Sequence, residues 1–304
     1  MNIDVIEIVK ESFRYLRNNH QFLVLGFLMS IAGGGWQIQK VSFGLWMRNP
    51  IPPGMTGYSP LYRFAHKVVG SASGNLALKL ILITVGILVG LIAFFIGVYA
   101  SACLIIGVSR ISDGEILKFR ETCVVERNTF LRYLFLSILY VAALIIVVLP
   151  LILLIFVFGR GRYTLIPCLS TLILGTFVVL AFVFLGIVFE ISGRFLLLQD
   201  MGIFGSISRA IYFLRDYFID CLLLWGYEFL IEISGIISVV LALVFLGIPL
   251  TWLSQITKAH HNPILISLDI IAFLAVWFAV STLNGGFLVV ASSAWTCAFK
   301  YLTS

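Results

Sequence analysis

Glu228 and Glu232 stand four residues apart inside an apolar run that begins after Tyr217. On a helix they share one face, continued by Gly235, and at ~1.5 Å per residue they lie about 16 and 22 Å beyond Tyr217. An ionisable group at that depth costs at least a few kcal/mol unless it faces a protein interior, so both acids are expected to point into a helix bundle. Burial and mutual repulsion disfavour two carboxylates at once, and at least one is expected to hold a proton. Three readings stay open. The pair is a proton or cation site; or it ties the fifth span to the sixth through Thr282 or Asn284; or the span starts later and Glu228 sits near the headgroups.

Other chemistry is sparse. Glu190 and Arg194 have the i,i+4 spacing of an intrahelical ion pair near a membrane boundary, and Asp269 is placed to cap or anchor the outer end of the last span. His20, His66, His260 and His261 fall at span ends or in loops, which disfavours axial ligation of a haem or chlorophyll in the bilayer. Cys103, Cys123, Cys168, Cys221 and Cys297 form no C-x-x-C pair, and in apolar segments free cysteine behaves as a small hydrophobe. Neither a nucleophile–base pattern nor a G-x-G-x-x-G or P-loop pattern is present. No catalytic residue, metal or cofactor is expected.

The elements that must position the acids follow from composition. Of 304 residues 61% are hydrophobic and 11% charged, with mean hydropathy +1.10. A soluble domain is about one quarter charged; this chain cannot cover its apolar side chains with polar surface, so its solvent is lipid. Net charge is +6, spread through short loops without a run that fits nucleic acid, and anionic headgroups are the better partner. The N-terminal M-N-I-D-V-I-E-I-V-K lacks the pattern of a cleavable signal, and the first span is expected to act as an uncleaved anchor.

Six spans are expected. The first runs from about Phe22 through Gly33-Gly34-Gly35 towards Ile38, with Trp36 at its margin; the second lies within Leu76 to Val108. The third lies within Phe130 to Phe158 with a kink at Pro150, and Gly159-Arg160-Gly161-Arg162 turns into the fourth, Leu165 to Leu198. The fifth runs from Tyr217 to about Leu246, before Pro249, and the sixth from Pro263 to about Lys300. The proline-rich connection Gln39 to Gly74 interleaves aromatic and basic residues, and Leu61 to Val69 fits a short interfacial helix or an ordinary loop.

A second element recurs. Ile3 to Arg17 has Val5, Val9, Phe13 and Leu16 on one helical stripe, with Glu7, Lys10, Glu11, Arg14 and Arg17 off it. Aligning Arg17, Arg127 and Arg215 brings Ile6, Ile116 and Phe204 together eleven residues before, and Phe13, Cys123 and Ile211 four before; the next residue is Asn18, Asn128 or Asp216. Ser112-x-x-Glu115 has the spacing of a capping box for the second copy, and Asp200 is placed to cap the third. The expected architecture is an all-α integral membrane protein with six transmembrane helices, in three repeats of interfacial amphipathic helix plus two spans. The repeats run over 1–109, 110–199 and 200–304 of one membrane domain. Lys and Arg are more numerous on the side of both termini, which places N- and C-termini in the cytoplasm of a cell inner (plasma) membrane protein. On that face Arg14, Arg17, Arg120, Arg127, Arg209 and Arg215 are candidates for headgroup or partner contacts.

Phe13 to Gly35, F-R-Y-L-R-N-N-H-Q-F-L-V-L-G-F-L-M-S-I-A-G-G-G, resembles a group of uncharacterised six-span bacterial and archaeal proteins similar to the membrane domain attached to some glycerophosphodiester phosphodiesterases. Gly193 to Asp216, with L-L-L-Q-D-M-G-I-F-G-S-I-S-R-A-I-Y-F-L-R-D, resembles that group's recurring element. The resemblance implies the six-span architecture and no catalytic residue. The chain has no room for the soluble phosphodiesterase barrel, and that activity is not expected.

The expected function is non-enzymatic: an accessory or assembly subunit, or a lipid-interacting protein, with membrane lipids and other membrane subunits as partners and no nucleic acid. The competing class is a proton- or cation-coupled transporter or channel using Glu228 and Glu232, with Asn284 nearby in the sixth span. A lipid-acting membrane enzyme is a third.

Overall fold

The structure, a computed structural model, describes residues 5–34, 76–115, 119–158, 165–260 and 263–303. The expected features at Trp36, in the Gln39–Gly74 connection with its helix over Leu61–Val69, at the Gly159–Arg162 turn and at His261 lie outside them, as does the side chain of Arg120. Among the described residues the chain is helical, with no strand. Successive helices are α1 (Val5–Asn18), α2 (Gln21–Met29, continued as a π-turn over Ser30–Gly34), α3 (Leu76–Ser112), α4 (Phe119–Thr122), α5 (Arg127–Phe158), α6 (Leu165–Leu198), α7 (Ile203–Asp216), α8 (Phe218–His260) and α9 (Pro263–Thr303). Helices are the economical answer in lipid, because each backbone N–H and C=O finds its partner within the segment.

Five of these, α3, α5, α6, α8 and α9, are long and apolar enough to cross a membrane. The chain is therefore an all-α, multi-pass membrane protein. The apolar helix at the start, Gln21–Ala32, is shorter than the roughly 20 residues a crossing needs; the rest of the expected first span, beyond Gly34, lies outside the described residues. Pro150 lies inside α5. The candidate crossing in α8 is Phe218–Ala242, and the helix itself continues through Pro249 to His260. Proline removes one donor, and in a membrane helix neighbouring groups re-satisfy the freed carbonyl, so it need not end the helix.

Two expected caps are also corrected. Ser112 does not start a helix but lies in the last turn of α3. Gly114 follows with φ +86°, its N–H bonds Ile111 O at 2.9 Å, and Glu115 N–H bonds Arg110 O at 3.2 Å. This paired closure is the Schellman stop, which glycine favours because it has no Cβ to clash at positive φ. Among the described residues the four-residue α4 follows, and Arg127, expected to end a surface helix, begins α5. The β-branched Val124 and Val125 between them are poor helix formers. Asp200 likewise caps nothing: the N-cap of α7 is Gly202, and the Asp200 carboxylate accepts from Arg132 at 3.0 Å.

The chain forms two compact units. One comprises Met1–Tyr15, Ala102–Phe229 and Ser292–Ser304. Within it α6 packs on α5 and α7. Its core is aromatic: Phe195 of α6 meets Phe213 of α7 at 5.8 Å and Phe299 of α9 at 4.8 Å, both edge-on, the geometry that ring quadrupoles favour. Tyr133 lies close over Gly193, where a Cβ would stand 3.0 Å from its ring. Ser12 of α1 lies beside Cys297, so α1 and α7 both seat on the last turns of α9. Lys300 there donates to Ser109 O at 2.9 Å and to Asp113 at 2.5 Å, closing α9 onto the end of α3.

The other unit comprises Leu16–Ser101 and Leu230–Ala291. Its organising contact is glycine on glycine. A Cβ on Gly26 of α2 would collide with the backbone of Gly285 of α9, and one on Gly285 with that of Gly26. Absent side chains let two backbones approach, the packing that replaces hydrophobic drive inside lipid. Ser30 and Asn284 flank the crossing, and the Asn284 amide donates to Ser30 Oγ at 3.0 Å. Phe27 packs on Phe278 at 4.7 Å, Gly97 of α3 receives Ala32, and Gly235 of α8 receives the Phe287 ring.

Candidate functional site: a buried arginine network

Arg194 stands four residues before the end of α6, roughly 6 Å inside at helical rise, and is fully buried. A guanidinium cannot shed its charge by deprotonating, so burial requires partners. Its Nη1 donates to Glu190 Oε2 and to the Glu190 carbonyl, each at 2.6 Å, and its Nη2 to the carbonyl of Ser292 at 2.9 Å. Nε has no partner. The expected Glu190–Arg194 pair is thus present, but it also reaches across to α9. The α9 partner lies in a run of small residues, Ala291-Ser292-Ser293-Ala294.

The network continues through Trp295. The Arg194 guanidinium carbon lies 5.9 Å from the centroid of the indole, within cation–π range, and the indole N–H donates to Glu228 Oε2 at 2.7 Å. Tyr140 of α5, stacked on Phe189 at 4.4 Å, lies within electrostatic reach of Glu190 and Glu228. One fixed cation and two carboxylates, from α6 and α8, are therefore gathered in one place, with Trp295 of α9 between them. Below them Ile191, Phe213, Asp220, Leu224, Trp295 and Phe299 help line a cavity of about 10 Å³, room for one water.

The sequence-derived candidates separate. Glu228 is half-buried on Trp295, whereas Glu232 is exposed and belongs to the other unit; both lie within the candidate crossing Phe218–Ala242. The link from Glu228 to α9 runs through Trp295, while Thr282 bonds its own Phe278 carbonyl at 2.8 Å and Asn284 is buried on Ser30. Arg14, Arg17, Arg127, Arg209 and Arg215 are exposed. Sequence reasoning gave Arg194 only the intrahelical pair with Glu190 and assigned no role to Trp295 or Tyr140. The available signal was an arginine at the end of a long apolar helix amid small residues, which promises a cross-helix partner but does not name it.

Outside the spans, burial, and then donation to Glu11 at 2.6 Å, push the Tyr15 phenol well above its ordinary range. Burial raises the Cys123 thiol. Among the described residues no group of three or more His, Cys, Asp or Glu is placed to hold a metal ion. Comparison with models of protein families, with curated proteins and with solved structures gave no match.

Proposed function

We propose that this chain is a non-enzymatic membrane protein, an accessory or assembly subunit or a lipid-interacting protein, seated in a plasma membrane with both termini cytoplasmic. The observation that carries the reading is the way Arg194 is used. Its two Nη groups are spent on Glu190 and the Ser292 carbonyl, and its ring partner Trp295 is spent on Glu228. Such groups fasten α6, α8 and α9 together. The proposal keeps a sixth crossing, begun by α2, and a repeated unit of surface helix plus spans. The likeness to membrane domains joined to glycerophosphodiester phosphodiesterases fits a module that serves another activity.

One observation favours a second reading, proton- or cation-coupled transport: two carboxylates, Glu190 and Glu228, gather about a single guanidinium. The pair relevant to that reading is Glu190 and Glu228, in place of Glu228 and Glu232. Affinity purification in gentle detergent, followed by mass spectrometry of proteins and lipids, tests the first reading, which expects a stoichiometric partner or a retained lipid class. Purification alone, together with proton-coupled uptake that disappears in Glu190→Gln or Glu228→Gln, overturns it.

A further inference from the structure

Helices α1 and α7 match in length and in the exposure of several positions, in a way their sequences only hint at. Measured from Arg17 and Arg215, each helix begins twelve residues before the arginine and ends one after it, and each is 14 residues long. Burial follows the same register. Nine and five residues before the arginine are buried positions, Ile8 and Ser12 in α1, Ser206 and Ala210 in α7. Eleven and four before are large apolar residues that remain exposed: Ile6 at 53% and Phe13 at 48%, Phe204 at 75% and Ile211 at 46%. Exposed cations stand on that side, Lys10, Arg14 and Arg17 in α1 and Arg215 in α7, and α7 carries a further exposed cation, Arg209, on its flank.

We propose that α1 and α7 are a matched pair of anionic-phospholipid binding elements, with Ile6/Phe13 and Phe204/Ile211 entering the acyl boundary and the arginines meeting phosphate. The inference rests on the lipid-interacting reading above and names its lipid class. Position and charge identify the occupant. α7 joins the crossing helix α8 after Tyr217 alone, and α1 joins apolar α2 after Asn19-His20, so both faces arise at a membrane boundary. The acids do not outweigh the cations: α1 sets Lys10, Arg14 and Arg17 against Glu7 and Glu11, and α7 sets Arg209 and Arg215 against Asp216, so each helix keeps a net positive charge. Exposed apolar side chains beside arginine at a bilayer edge are satisfied by headgroup and upper acyl chain, and anionic lipid concentrates there through charge.

The test uses the full chain in nanodiscs of phosphatidylcholine alone or of an equal mixture with phosphatidylglycerol. An environment-sensitive dye is placed at Lys10→Cys or Ser208→Cys, and the parent chain's labelling is subtracted. Lipid retained after exchange into detergent is counted by mass spectrometry. The expected result is a dye in an apolar setting at both positions and several-fold enrichment of phosphatidylglycerol. That enrichment falls to parity in the variant Arg14→Gln/Arg17→Gln/Arg209→Gln/Arg215→Gln, returns with lysine at the same four positions, and weakens at high salt, as charge screening requires. An apolar dye with equal retention of both lipids overturns the anionic assignment and leaves the lipid-interacting reading standing. A dye in water at both positions overturns both. A glutamine variant that melts like the parent confirms that its change reports lipid contact rather than folding.

Discussion

The indole N–H of Trp295 donates to Glu228 Oε2 at 2.7 Å, while the Arg194 guanidinium lies 5.9 Å from the centroid of the same ring. One aromatic side chain thus stands between a buried cation and a carboxylate two helices away, and makes α6, α8 and α9 one polar joint. Trp295→Phe keeps an aromatic face, loses the second ring of the indole and removes the donor. A hydrogen bond to a half-buried carboxylate is worth about 1–2 kcal/mol, and the variant is expected to melt lower by that amount. In a cycle with Glu228→Gln, the two effects should fail to add by at least about 0.5 kcal/mol. Strict additivity in thermal unfolding would show that the contact carries no energy.

Arg194→Met is expected to destabilise by about 2–3 kcal/mol, because Glu190 loses its counter-charge; part of the full buried-pair penalty is relieved by that carboxylate's partial exposure. Adding Glu190→Leu should recover much of the loss. If the double variant melts below the single one, charge compensation is not what holds the joint.

Gly26→Ala forces a methyl into the Gly285 backbone and should cost about 1–3 kcal/mol, the usual range for overpacking. Gly205→Ala in α7 meets nothing within 4 Å and should stabilise by about 0.5–1 kcal/mol through helix propensity. Comparing the melting temperatures of the two variants separates a packing glycine from a merely permissive one, and equal shifts would contradict the glycine crossing.

The buried bond from Asn284 to Ser30 at 3.0 Å predicts that Asn284→Ala and Ser30→Ala each lower stability by about 1–2 kcal/mol and that their effects overlap in the double variant. Should Asn284 instead serve transport, Asn284→Ala would alter uptake while leaving melting unchanged.

Tyr15 gives a pH dependence. Its folded-state pKa is raised above the ordinary value of 10.0, by burial first and then by the bond to Glu11. The folded state therefore holds the phenolic proton more tightly than the unfolded chain. The associated stability is fully present below that ordinary value and is lost as pH rises above it towards the folded pKa. Tyr15→Phe should flatten this alkaline fall. A tyrosinate difference spectrum between parent and variant, with Tyr15 ionising at its ordinary pH, would overturn the assignment.

Periodicity and composition made much of the architecture legible before any coordinates. Runs from Leu76, Phe130, Leu165, Tyr217 and Pro263 had to be helices, because an apolar segment in lipid must satisfy its own backbone; each appears within a few residues of its expected start. The spacing of α1 and α7 was readable for the same reason, since a surface helix writes its two faces into a 3.6-residue period. The expected intervening helix differs at both ends, because Asp113-Gly114 closes α3 and Val124-Val125 resists helix, local signals that outweigh the repeated spacing. What sequence could not decide was which polar groups meet. Glu228 and Glu232 share a face by arithmetic, and Glu190 and Arg194 share a turn. That Glu228 reaches Trp295, 67 residues away, and Arg194 reaches Ser292, 98 residues away, depends on how helices rotate and approach. Such approaches depend on tertiary packing and not on local pattern; the structure adds to Glu228 a ring partner, Trp295, and beside that ring a guanidinium shared between Glu190 and Ser292.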